Sequence, residues 1–155
     1  MKTIFTIILL AFIGLNNISA ASFSSVSSGD WSNSTSWNVT SGTDADGIPD
    51  SNDDVIINVG HAINLTGATN VLNFTNNGAL VGNNSSFSVF GNFTNTGTFP
   101  TKFLLNIKGA CVFSSTNLFS AASAWYINAN LTISAGTTIS VSYTHLRAHE
   151  TGRNL

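Results

Sequence analysis

The chain has 155 residues, with five Lys and Arg against seven Asp and Glu and a formal net charge of −2. So sparse and slightly acidic a balance gives no electrostatic footprint for nucleic acid. Its one cysteine, Cys111, excludes an internal disulfide and reads as a small buried hydrophobe within an apolar run.

At the start, residues 1–20 read as a secretory signal peptide. Lys2 supplies the positive end, residues 4–15 the apolar core, and residues 16–21 a polar exit of small residues, with cleavage expected after Ala20 or Ala21. That apolar run is shorter than the roughly 20 residues a spanning helix needs, so no membrane insertion is expected after cleavage. The expected location is secreted or on the outer cell surface.

Residues 21–53 follow as an N-terminal cap with an Asp-rich loop. Five of the six aspartates ahead of the repeats fall between Asp44 and Asp54. Asp44, Asp46, Asp50 and Asp53 place oxygen ligands two to four residues apart around Gly47, a spacing suited to Ca²⁺, which takes about 6–8 oxygens in flexible geometry. The same run also reads as a solvated loop in which Asp and Asn cap backbone amides. From Asp44 to Asp53 it matches D-x-D-G-I-P-D-x-x-D and so resembles the calcium-binding aspartate repeats of the thrombospondin type.

Residues 54–139 are short runs of β-branched and aromatic residues separated by Asn and Gly, with no apolar period of 3.6 residues. Strands are predicted at 55–59, 62–65, 71–74, 79–81, 87–90, 103–107, 110–113, 125–127 and 131–133. The unit beginning Asn73-Phe74-Thr75-Asn76 returns 19 residues later as Asn92-Phe93-Thr94-Asn95, and Asn130-Leu131-Thr132 recurs two periods further on. Repetition at that length predicts an all-β fold, a parallel β-helix, in which Phe74, Phe93, Val112 and Leu131 stack inside and Asn residues form ladders at the corners. An antiparallel β-sandwich is the alternative.

Catalytic chemistry finds little support. Between Asp54 and residue 139 there is no Asp or Glu, and no phosphate loop, nucleophile elbow or zinc spacing appears. His61, alone between Gly60 and Ala62, reads as a turn residue bonded to backbone rather than a ligand or base.

The ordered pattern Gly29-x-Trp31, Trp37, Ile48-Pro49, Asp53-Asp54-Val55-x-Ile57 and Gly60-His61-x-Ile63-x-Leu65 resembles the opening of the eight-glycine domain and related β-helix modules. Such modules belong to large exported surface proteins of Gram-negative bacteria. The resemblance implies a non-enzymatic, adhesin-like surface module with polysaccharide or cell-surface glycans as partners. Trp31 and Trp37 would then either offer an aromatic platform to a sugar ring or cap the open end of the solenoid. The alternative function is the non-catalytic leading portion of a secreted polysaccharide-degrading enzyme.

At the end of the chain, residues 140–151 spell SVSYTHLRAHET, which resembles the translation of a tagmentation sequencing adapter. Residues 140–155 are accordingly read as a non-native tail, and the natural chain is expected to run on past Ile139. His145 and His149 fall in that tail and are not candidates for a site.

Overall fold

The computed structural model describes residues 20–99, 102–113, 125–127 and 130–133. The expected signal peptide at 1–20 lies outside them but for its last residue, and the 140–155 tail lies outside them altogether. In chain order the strands are β1 (Ser22–Ser25), β2 (Gly29–Asp30), β3 (Trp37–Ser41), β4 (Asp54–Ile57), β5 (Ala62–Leu65), β6 (Thr69–Val71) and β7 (Asn73–Asn76). They continue with β8 (Ala79–Val89), β9 (Phe93–Asn95), β10 (Lys102–Ile107), β11 (Cys111–Phe113), β12 (Trp125–Ile127) and β13 (Leu131–Ile133). A single turn of 3₁₀ helix, Ser34–Ser36, precedes β3.

The chain winds into a parallel β-solenoid with three faces. On the first, β1, β4, β7, β9, β11 and β13 stack in that order, every pair parallel. The second carries β2, β5 and the first half of β8, and the third carries β6, the second half of β8, β10 and β12. The alternative antiparallel sandwich is thereby excluded: the only antiparallel pair among the described strands is β1 with β3.

Register follows from alternation. Each short strand turns every second side chain inward, and hydrogen bonding to the strand one coil away holds equivalent positions in columns. Phe23, Val55, Phe74, Phe93 and Cys111 form one such column, each with 1 % exposure or less. Val71, Val89 and Ile107 form another on the third face, beside Phe87 and Leu105. Burying each of these larger side chains contributes roughly 1.5–3 kcal/mol.

One expected core position is corrected. Cys111, not Val112, pairs with Phe93, because this coil is eighteen residues long rather than nineteen. A slip of one residue exchanges the two faces of a strand, so Val112 joins the outward column with Thr94. Leu131 does fall in this column, paired with Cys111 rather than Val112, but it is 45 % exposed.

Glycine makes the corners tight. A Cβ on Gly97 would run into the carbonyl of Gly78, and one on Gly78 into the carbonyls of Asn58 and His61. The recurring Asn-Gly and Thr-Gly pairs thus mark places where successive turns approach backbone to backbone.

Candidate functional site

The end of the solenoid that starts with β1 is closed by residues 31–53, which lengthen the first coil before β4 begins the regular stack. From here β3 turns back and pairs antiparallel with β1, covering the edge that the parallel stack would otherwise leave open. Trp31 and Trp37 lie beneath this cap at 4 % and 6 % exposure. Their rings meet edge to face with centroids 4.9 Å apart, and Trp31 also packs edge to face on Phe87 at 5.5 Å. Both indole N–H groups are engaged: Trp37 Nε1 donates to the Trp31 carbonyl at 2.8 Å, and Trp31 Nε1 to the Pro49 carbonyl at 3.1 Å.

That placement corrects the sugar-platform expectation for the two tryptophans. A platform needs an exposed ring face, and these two rings are almost wholly buried. They form the plug of the first coil.

The Asp-rich loop packs against the same cap. Asp53 is 2 % exposed, and its carboxylate accepts from the Ala21 N–H at 2.8 Å through Oδ1 and from the Asp50 N–H at 2.8 Å through Oδ2. One side chain therefore ties the start of β1 to the loop. Oxygens of Asp44, Asp50 and Asp53 lie within 4.8 Å of one another. Asp46 is not in this group, contrary to its spacing: its Oδ1 accepts from the Ile48 N–H at 2.9 Å. The pKa of Asp53 is raised, chiefly by burial and further by the charges of Asp50 and Asp44, while the N–H groups of Asp50 and Ala21 pull the other way.

The donor set fits Ca²⁺ only in part. Three carboxylates supply fewer than the roughly 6–8 oxygens the ion takes. Asp44 Oδ1 already accepts from the N–H groups of Asp46 and Gly47, and Asp50 Oδ1 from Asn52, so the loop also caps its own amides.

Beside the loop lies an open groove of about 400 Å³. One wall is Ile48, Pro49, Asp50 and Ser51, the opposite wall is the corner from Thr66 to Asn70, and Trp31 and Ser32 lie between them. Two hydrogen bonds hold the walls in place: the Trp31 indole to the Pro49 carbonyl, and the Leu72 N–H to the Asp53 carbonyl at 2.9 Å. Residues 66–70 carry no charge and lie distant in sequence from 48–51, and only the winding of the second coil brings them together.

His61 has a side-chain partner where backbone was expected. Its Nδ1 lies 2.8 Å from Ser25 Oγ, which in turn accepts from the Asn58 N–H. At 1 % exposure Ser25 is sealed from any substrate. Burial pushes the Cys111 thiol up to about 12, which makes it inert at neutral pH.

Elsewhere the described outer surface is regular and sparsely charged, with Lys108 over the Phe90 ring and Asp30 bonded to Asn64. Ile56, Thr75, Thr94, Val112 and Thr132 follow one another along the first face. Among the described residues no helix is long and apolar enough to cross a membrane. Comparison with protein families, curated proteins and solved structures gave no match.

Proposed function

We propose that this chain is an exported, non-enzymatic module of the outer cell surface, adhesin-like, that binds neutral glycans. The observation carrying this reading is the distribution of polar groups on the solenoid. Threonine, asparagine and serine side chains share the outward columns with Ile56, Val81, Leu104 and Val112, while the described carboxylates gather at the capped end. A stack of parallel strands presents such groups at a repeat of about 4.8 Å, which suits an extended, uncharged polymer better than a compact reactive centre.

Acid–base cleavage of a sugar chain would call for two carboxylates flanking the bond. Asp44, Asp50 and Asp53 do converge, but they are engaged with backbone amides. We assign them a structural role, with weak Ca²⁺ binding supplying the missing positive charge when the ion is present.

Surface display is tested by protease treatment of intact source cells, followed by detection of the chain with an antibody. Loss of signal without lysis is expected; protection until lysis would contradict the reading.

A further inference from the structure

We infer that the groove between the Asp-rich loop and the second-coil corner is the subsite that takes a neutral sugar. This inference rests on the glycan reading above and gives that reading a location.

The groove combines what a sugar ring requires. Ile48, backed by the buried Pro49, supplies a short apolar patch for the C–H face of a pyranose, while Ser32, Ser51, Thr66, Thr69 and Asn70 supply compact hydroxyl and amide groups for its rim. Asp50 adds one carboxylate, an acceptor stronger than a neutral oxygen for a sugar hydroxyl. No Lys, Arg or His lines it among the described residues, so a phosphate, sulfate or uronate would meet Asp50 with no compensating cation. Its volume falls at the low end of the roughly 300–1,000 Å³ of small-molecule sites, room for one or two sugar rings.

Pre-organisation favours the same conclusion. Trp31 is locked by aromatic packing and by its bond to Pro49, and the Asp loop is tied back to the coil through Asp53 and Leu72. A ligand entering between these walls orders little that is not already ordered.

Gly67 makes a clean test possible. A Cβ there would meet no atom within 4 Å, and its backbone is not in the left-handed region, so Gly67→Phe adds bulk at the groove lining without a clash at Cβ. The full chain is titrated by calorimetry with neutral gluco-, manno- and galacto-oligosaccharides and with uronate and sulfated counterparts. Binding of a neutral oligosaccharide, weakened about tenfold or more by Gly67→Phe at unchanged melting temperature, is the expected result. Asn70→Ala, an exposed change on the opposite wall from Asp50, should weaken it in the same sense and serves if Gly67→Phe does not fold. Thr94→Arg, on the first face, should leave it intact. If the groove variants bind as the parent does and Thr94→Arg does not, the subsite is overturned and the glycan reading survives on another face. Preference for the acidic sugars overturns the subsite as well, and failure of every sugar to bind the parent chain overturns both.

Discussion

Asn76 donates from Nδ2 to Oδ1 of Asn95 at 2.7 Å, one coil away, and both side chains are completely buried. Asn76 also donates to the Thr98 carbonyl, and Asn95 to the Gly97 carbonyl, so the pair joins an inner column of the first face to the following corner. In a stack of near-identical coils such a polar pair opposes sliding, because a shifted register would strand its amides in an apolar interior.

The two positions should be coupled. Asn76→Ala strands Asn95 Oδ1, while the Thr98 carbonyl keeps the Leu80 N–H, and should cost about 1–3 kcal/mol. Asn95→Ala takes the acceptor from one Asn76 N–H and leaves its bond to Thr98, and should cost a similar amount. Urea unfolding of the two single variants and the double variant measures this, and the double should lose less than the sum of the singles.

The aromatic plug should be indispensable. Trp31→Ala opens a cavity against Trp37, Phe74 and Phe87 and should lower stability by about 3–5 kcal/mol. Trp37→Phe keeps most of the packing and loses the bond to the Trp31 carbonyl, a loss of about 1 kcal/mol. Chemical denaturation that gave Trp31→Ala a loss below about 1 kcal/mol would show that the plug does not seal the coil.

Two glycines make a matched comparison. Gly97→Ala forces a Cβ onto the Gly78 carbonyl and should destabilise clearly, whereas Gly67→Ala meets open space and should be neutral or gain about 0.4–1 kcal/mol. Thermal melts of the two variants side by side decide it.

Asp53 sets the acid end of the stability profile. Its folded pKa lies above the ordinary 3.8, so the folded state holds the proton more tightly than the unfolded chain does. The stability it contributes is full below pH 3.8 and is lost as pH rises through the folded value. Asp53→Asn, which turns an amide N–H₂ toward one of the two backbone N–H donors, should be less stable throughout but lack that slope, so its deficit narrows as pH rises. Millimolar Ca²⁺ at neutral pH should raise the melting temperature of the parent and of Asp46→Asn alike, by mass action on Asp44, Asp50 and Asp53, and should do so less for Asp50→Asn.

Much of this architecture was legible in the repeat. The spacing from Phe74 to Phe93 places both rings in one inner column, as found, and the predicted strands at 62–65, 125–127 and 131–133 coincide with β5, β12 and β13. What misled was local. The predicted strand at 71–74 is two strands parted at Leu72, and those at 79–81 and 87–90 are one long β8 that bends at Gly82 with φ of 150°. Neither bend alters hydrophobic alternation enough to be read. Asn76 and Asn95 form their ladder inside the coil, although Asn columns were expected at corners. Such a corner ladder exists too, from Asp54 to Asn73 to the Asn92 N–H. Strands β1 and β3 carry no strong period, since Ser-rich and partly exposed strands have only one or two apolar residues each. The groove left no local signature, because its walls meet only through the winding of the chain.

The most direct test of a glycan-binding, non-catalytic module is to incubate the purified protein with insoluble neutral polysaccharides, measuring retained protein and released reducing ends together. Retention that soluble oligosaccharide reverses, with no reducing ends above a protein-free control, is the predicted result. Release of reducing ends, or no retention on any polymer, would contradict it.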